Sequence, residues 1–88
     1  MNKFVYLDNN ATTQMASEVA QIMHENESLY ANASSMHSCG RDAASAIEWA
    51  REEVATLIDG DKSGVYFTSG ASESNNTVFS TFRDLIDE

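Results

Sequence analysis

The chain has 88 residues, enough for one small domain, and its 14 acidic and five basic residues give a formal net charge of −9. That balance argues against a nucleic-acid partner, because such binding depends on lysines and arginines that neutralise phosphates. The single cysteine excludes an internal disulfide, no Cys/His spacing indicates a zinc site, and no apolar run nears the ~20 residues of a membrane span. No signal peptide is recognisable, so we expect a cytoplasmic protein.

Two helical patterns follow a short apolar run at the start of the chain. The run Phe4 to Leu7 predicts a strand, which ends in the turn residues Asp8-Asn9-Asn10. Ser17 is a favourable N-cap, and apolar residues at mostly helical spacing predict a helix over about 17–30. After a loop of Asn, Ala and Ser, spacings of three and four predict a longer helix with the stripe Ala43, Ala46, Ile47, Ala50, Val54, Leu57 and Ile58. Gly60 is expected to be its C′ residue.

A second strand and a third helix complete the pattern. Arg51 and its neighbouring glutamates lie largely off the stripe of the long helix. After a turn over 59–64, Val65-Tyr66-Phe67 predicts a short strand, and a last helix places on one face Val78, Phe79, Phe82, Leu85 and Ile86. The order β-α-α-β-α is that of an α/β protein, which normally requires a parallel sheet. Two short strands cannot provide the sheet that these helices should cover, so we expect the chain to be incomplete.

The junction between the second strand and the last helix, Thr68 to Ser72, is a candidate anion site. Backbone N–H groups at a helix start are unpaired and lie at the positive end of the helix dipole. A turn of small residues lets an anion approach them closely: Gly70 permits a positive φ, Ala71 leaves room and Ser72 can donate its hydroxyl. Each such term is worth about 0.3–2 kcal/mol, so other anchors are needed. The alternative is an ordinary helix start.

Three motifs resemble those of the cysteine desulfurases, which are pyridoxal-phosphate enzymes of the class V aminotransferase group. Residues 7–13 read L-D-N-N-A-T-T, the N-terminal signature of that family; residues 32–41 resemble N-P-S-S-x-H-x-x-G-R, and residues 68–76 resemble T-S-G-A-T-E-x-x-N. The resemblance implies the N-terminal part of an α/β fold, the fold type I (aspartate-aminotransferase-like) transferase fold, with three helices and two short strands. Residues 1–15 would belong to the small domain and 16–88 would begin the large, cofactor-binding domain.

The resemblance also implies site residues. The phosphate of pyridoxal 5′-phosphate would be held by Gly70, Ala71 and Ser72. Ser72 keeps the hydroxyl of the threonine that is usual in the family. The substrate side would include Asn10, Ala11 and Thr12. For these three, a turn followed by a helix cap is an equally good interpretation. Ala33 replaces the family's proline, which predicts a less rigid loop.

The reaction implied is the removal of sulfur from L-cysteine, which yields L-alanine and a persulfide and supplies sulfur for iron–sulfur clusters or thio-cofactors. It needs a lysine that carries the cofactor as a Schiff base and a cysteine that accepts sulfur, and in the family both lie beyond the region covered here. Cys39 stands in the wrong motif and is expected to be a packed thiol. Lys3 and Lys62 are expected to be solvated. The chain alone is therefore expected to be inactive.

The remaining polar residues and the partners complete the expectations. His37 is expected to make a loop or interface hydrogen bond, His24 to face solvent, and Arg41 to anchor or pair near its helix start. By resemblance the partner is the remainder of the enzyme or a second copy, since family members are homodimers. Two alternatives stay open. One is a non-enzymatic interaction or dimerisation module, and the other is a part of a different class V transferase such as a selenocysteine lyase.

Overall fold

The computed structural model describes residues 3–87, in which three α-helices are joined by turns and extended segments. Helix α1 spans Ser17–Glu25, α2 spans Ser38–Leu57 and α3 spans Ala71–Ile86, and a 3₁₀ turn occupies Lys62–Gly64. Within residues 3–87 neither predicted strand, 4–7 or 65–67, is present. A strand is defined by hydrogen bonds to a neighbouring strand, and in the described part of the chain neither segment has such a neighbour. The three helices are confirmed and the two strands are wrong.

Helix α1 is shorter than predicted. Its N-cap is Ala16, and Ser17 is already helical, with its hydroxyl donating to Glu18 Oε2 at 3.2 Å; the prediction of Ser17 as the cap is wrong. Asn26 is the C-cap residue, with φ −97° and ψ 7°, and its side-chain Nδ2 and backbone N–H both donate to the carbonyl of Ile22, at 2.8 and 3.1 Å. These bonds satisfy a carbonyl that the helix end leaves open. The helix therefore stops after Glu25 and does not continue to residue 30.

Helix α2 ends in a Schellman-type motif, one residue earlier than predicted. The N–H of Gly60 donates to the carbonyl of Ala55 at 2.8 Å, and the N–H of Asp59 donates to the carbonyl of Thr56 at 3.2 Å. Asp59, with φ 53°, is the residue in the left-handed conformation. The prediction of Gly60 as C′ is wrong, because the hydrogen-bond pattern puts Asp59 there and aspartate is among the few non-glycine residues that tolerate that conformation.

Burial is concentrated on the alanines of α2. Ala43, which belongs to the predicted stripe, and Ala55, which does not, are 5% and 4% exposed. The larger members of that stripe are exposed, among them Leu57 and Ile58. The apolar positions of α3 are exposed as well, namely Val78, Phe79, Phe82, Leu85 and Ile86. The helical spacing in the sequence is thus confirmed, but residues 3–87 do not contain the partner surface that would cover these faces.

The chain divides into two compact units, Met1–Ala44 and Ser45–Glu88, and the division falls inside α2. The first unit contains α1 and the first two turns of α2; the second contains the rest of α2, the 3₁₀ turn and α3. No helix in the described part has both the length and the apolar content that a membrane crossing needs. The predicted division of the family fold at residues 15 and 16 stays a prediction.

Candidate functional site

The segment that enters α3 is folded back onto the first turn of that helix by one hydroxyl. Thr68 Oγ1 lies 3.1 Å from the carbonyl oxygen of Gly70 and 2.6 Å from Ser74 Oγ. The first backbone bond of the helix runs from the N–H of Ser74 to the carbonyl of Gly70, at 3.1 Å. Thr68, Gly70 and Ser74 together fix where the helix begins and leave the residues between Gly70 and Ser74 as its first turn.

Glu73 is hydrogen-bonded to Ser69, the residue before the N-cap. Its Oε2 accepts hydrogen bonds from the backbone N–H of Ser69, at 2.6 Å, and from Ser69 Oγ, at 2.7 Å. The arrangement resembles a capping box, in which a carboxylate of the first turn reaches back to the residues ahead of the helix. Both bonds favour the charged carboxylate, so the amide of Ser69 and then its hydroxyl lower the pKa of Glu73 below the ordinary value of 4.5.

The amides of Ala71, Ser72 and Glu73 have no acceptor among residues 3–87. The hydroxyl of Ser72 is exposed beside them. Gly70 has φ 163° and ψ −178°, which is extended backbone, so this turn does not use the left-handed φ that a glycine permits. A Cβ at Gly70 would meet no atom within 4 Å. The start of α3 therefore presents three backbone donors and one hydroxyl, at the positive end of the helix dipole.

The predicted substrate-side residues share one exposed turn in the first compact unit. The N–H groups of Ala11 and Thr12 both donate to the carbonyl of Asp8, at 3.1 and 3.4 Å. Tyr6 closes this turn, because its hydroxyl, a single donor, lies 3.1 Å from the carbonyl oxygen of Asp8 and 3.0 Å from that of Thr12. The turn is what the sequence indicated for Asn10, Ala11 and Thr12, and their part in substrate binding stays a prediction.

Residues 32–41, the second of the three motifs, form the turn at the start of α2. His37 precedes the helix, and its Nδ1 accepts the N–H of Gly40 at 3.1 Å, so the predicted loop hydrogen bond is confirmed. Arg41 anchors the same turn as predicted, through a hydrogen bond from Nη1 to the carbonyl of Met36. Cys39 is exposed. The prediction of a packed thiol is wrong, because this turn buries Gly40 and leaves Cys39 exposed.

Arg51 is the residue whose environment the sequence analysis missed. Its side chain is 23% exposed although it was expected to lie off the apolar stripe. Nε pairs with Glu48 Oε1 at 3.1 Å, Nη1 donates to the carbonyl of Val65, and the guanidinium lies 5.1 Å from the centroid of the Phe67 ring. The spacing to Glu48 was visible in the sequence. The contacts with Val65 and Phe67 depend on the chain reversal after α2, which no local pattern encodes.

Among residues 3–87, the other titratable side chains make only local ion pairs and hydrogen bonds. His24 is exposed as predicted and contacts Glu27 at 3.1 Å. Lys62 is exposed too, and its Nζ pairs with Glu52 Oε1 at 2.7 Å; this hydrogen bond raises the pKa of Lys62 above 10.5. An open depression of about 400 Å³ lies nearby and is lined by Glu48, Arg51, Lys62, Ser63, Val65 and Tyr66. In the described part of the chain, no group of three metal-ligating side chains comes together.

Comparison with known proteins gives one consistent result. The family described as aminotransferase class-V matches residues 5–88. A cysteine desulfurase of Trichormus azollae is 45% identical over 75 residues, which are 84% of this chain and 19% of that protein. A selenocysteine lyase of Bos taurus is also 45% identical over 75 residues, 84% of this chain and 17% of that protein. The cysteine desulfurase IscS of Dictyoglomus turgidum is 43% identical over 77 residues, 86% of this chain and 20% of that protein.

The chain thus spans about a fifth of the length of the curated relatives that it matches. No solved structure matches it.

Proposed function

The chain belongs to the class V aminotransferase family, and we propose that it forms the phosphate-holding part of a pyridoxal-phosphate-dependent cysteine desulfurase. One observation carries the proposal. The amides of Ala71, Ser72 and Glu73 have no acceptor among residues 3–87, and they stand at the start of a 16-residue helix. A phosphate at a helix N-terminus accepts hydrogen bonds from such amides and gains from the helix dipole.

The residues at the start of α3 fit a phosphate ester. Gly70 leaves open space on the approach to the amides, and Ser72 adds a hydroxyl donor. Glu73 is the one negative charge in this first turn, and its carboxylate is hydrogen-bonded to Ser69, outside the helix. When bound, pyridoxal phosphate supplies the electron sink of the reaction. Gly70, Ala71 and Ser72 would bind the phosphate of this cofactor and thereby orient the cofactor.

The phosphate site is tested by titrating the 88-residue chain with pyridoxal phosphate and, separately, with inorganic phosphate. We expect both to shift the amide resonances of Ala71, Ser72 and Glu73. Ser72→Ala should weaken binding about tenfold or more, the loss expected for one hydrogen bond to a charged group. Ser80→Ala, which changes another exposed serine of α3, is the matched control and should bind as the original chain does. Equal affinities for all three proteins would contradict the assignment of Ser72, and unshifted amides in the original chain would contradict the phosphate site.

We further propose L-cysteine as the substrate, with L-alanine and a persulfide as products, and Asn10, Ala11 and Thr12 on the substrate side. The relatives named as cysteine desulfurases support this assignment, while an equally identical relative is named a selenocysteine lyase. Selenocysteine is therefore the alternative substrate. Incubating the chain with pyridoxal phosphate and either amino acid should release neither sulfide nor selenide, because the lysine and the sulfur-accepting cysteine of the family are expected outside this sequence. Sustained release of either product would contradict that expectation.

A second candidate function is an interaction module that pairs with the rest of an enzyme or with a second copy. The specific observation is the apolar face of α3, on which Phe79 is 74% exposed and Ile86 is 80% exposed. Apolar faces of this kind mark contact surfaces in soluble proteins. Sedimentation velocity should therefore show self-association that Phe79→Ser reduces. A monomer at all accessible concentrations would count against a homodimer module.

A further inference from the structure

One guanidinium links α2 to the segment that carries the candidate phosphate site. The segment 65–67 lies in no helix and has no strand partner among residues 3–87, so no sheet hydrogen bonds stabilise it. Arg51 contacts it twice: Nη1 donates to the carbonyl of Val65, and the guanidinium lies over the ring of Phe67 at 5.1 Å. Glu48 fixes the other side of the same guanidinium through Nε at 3.1 Å.

The segment that Arg51 contacts is connected to the start of α3 by the chain itself and by two hydrogen bonds of Thr68. Phe67 is followed directly by Thr68, whose hydroxyl lies 3.1 Å from the carbonyl oxygen of Gly70 and 2.6 Å from Ser74 Oγ. Gly70 is the N-cap, and Ser74 donates the first backbone bond of α3. A displacement of the segment 65–67 would therefore move Thr68 and Gly70, and with them the unpaired amides at the start of α3.

We propose that Arg51 is a positioning residue for the phosphate-binding turn, because it sets the place of Val65 and Phe67 and through them of Thr68 to Ser72. The inference rests on the function proposed above. It requires a planar, multidentate cation, since the group must meet a carboxylate, a carbonyl and an aromatic face at once. A lysine ammonium is a single point of charge on a flexible stem and cannot satisfy the three partners together.

The experiment compares the full 88-residue chain with Arg51→Ala and Arg51→Lys. Arg83→Ala is the matched control, because it removes the same charge from the same compact unit while its side chain is 70% exposed. Amide shifts of Thr68 to Ser74 are measured without ligand, and pyridoxal phosphate and inorganic phosphate are then titrated. Shifts of residues 43–47 report whether the first half of α2 remains helical.

We expect Arg51→Ala to move the ligand-free amide resonances of Thr68 to Ser74 and to weaken pyridoxal-phosphate binding about tenfold, the equivalent of one charge-assisted hydrogen bond. Arg51→Lys should recover part of both effects, whereas Arg83→Ala should change neither. Resonances of 43–47 should stay in place in every variant. A loss of helical shifts there would instead assign Arg51 a general structural role and would overturn the inference.

The remaining outcomes separate this inference from the function on which it rests. If the original chain binds neither probe, the proposed phosphate site is wrong, and the ligand-free shifts alone then decide whether Arg51 positions the turn. Unchanged shifts of Thr68 to Ser74 in Arg51→Ala would overturn the positioning role, as would an affinity equal to that of the original chain. Random-coil shifts over 65–76 in the original chain would overturn it as well.

Discussion

The starts of α2 and α3 are built from similar residues and differ in what they leave open. Both follow segments that contain serine, and both place a glycine at or near the first helical turn. At α2 that glycine, Gly40, is buried, and its N–H is capped by His37 Nδ1 at 3.1 Å. At α3 a Cβ added to the glycine, Gly70, would meet no atom within 4 Å, and the three amides after it have no acceptor among residues 3–87.

The two helix starts therefore differ in degree, because the amides of Ser38 and Cys39 also lack an acceptor among residues 3–87 and only that of Gly40 is taken up at α2. An anion can use only those donors at a helix start that the chain leaves unpaired. The two helices have comparable dipoles, because both are long enough for the dipole effect, which is confined to the end turns. At α2, a side chain of the loop takes a donor that an anion would otherwise use. At α3, the side-chain acceptor Glu73 is bonded to Ser69, ahead of the helix, and the helix amides stay available.

Alanine substitutions at Gly40 and at Gly70, each of which adds one Cβ, test the difference between the two helix starts most directly. A Cβ at Gly40 would lie 2.4 Å from the carbonyl oxygen of Ser35 and 2.8 Å from that of Asn32. Alanine is ordinarily more favourable than glycine in a helix by about 1 kcal/mol. Gly40→Ala should nevertheless destabilise the start of α2 by about 1–3 kcal/mol, the usual cost of overpacking. Amide hydrogen exchange in the first turn of α2 measures this local opening.

Gly70→Ala is the matched variant for that measurement. Its Cβ enters open space and the extended backbone suits any residue, so we expect a loss below about 1 kcal/mol, as for glycine-to-alanine changes at an N-cap. Comparable losses at the two positions would show that the start of α2 is not closed by steric contact, and the contrast between the two helices would then fail.

A smaller effect is expected from the cap of α2. His37→Ala removes the acceptor of the Gly40 N–H and should cost about 0.5–2 kcal/mol of local stability at the start of α2, the usual range for an N-cap. His37→Asn keeps a side-chain acceptor at the same position and should recover most of the loss. The measurement is again amide exchange at Gly40 and Arg41. If His37→Ala and His37→Asn behave alike, the hydrogen bond to His37 does not stabilise the helix start.

The same two regions show how far the sequence predicts the structure. Local patterns identify α2 and α3, the turn at 8–10 and the position of the candidate phosphate site, because helical periodicity and small-residue turns depend on near neighbours. The predicted hydrogen bond of His37 and the predicted anchor of Arg41 are also short-range and are confirmed. Family motifs identify the class V aminotransferase group, which the match over residues 5–88 confirms.

What the sequence does not reveal depends on longer-range contacts. Apolar runs predict strands at 4–7 and 65–67, but a strand exists only with a neighbour that residues 3–87 do not provide. The helical pattern places Arg51 on the polar side of α2, yet its guanidinium reaches Val65, 14 residues later in the chain. Gly40 has no room for a side chain, because the carbonyl oxygen of Ser35 in the preceding loop would lie 2.4 Å from an added Cβ. Composition does not predict this close approach.

The smallest expected effect concerns Glu73 and the first turn of α3. Hydrogen bonds from the amide and then the hydroxyl of Ser69 lower the pKa of Glu73 in the folded chain. Near the ordinary value of 4.5 the unfolded chain therefore binds more protons than the folded one. The stabilising contribution of Glu73 is fully present above that value and is lost as the pH falls through the lowered pKa. The Ser69 amide resonance, followed during acid titration, should report this loss.

Glu73→Gln removes the ionisation, so the Ser69 amide should then be insensitive to pH in the same range. Glu53→Gln changes an exposed glutamate of α2 and should leave the Ser69 titration as it was. The Glu73 variant also sharpens the contrast between the helix starts, because it removes the negative charge nearest the open amides of α3. Inorganic phosphate should therefore bind Glu73→Gln more tightly at low ionic strength, and the gain should shrink as salt is added. Weaker phosphate binding by Glu73→Gln would mean that the carboxylate is needed to keep those amides in place.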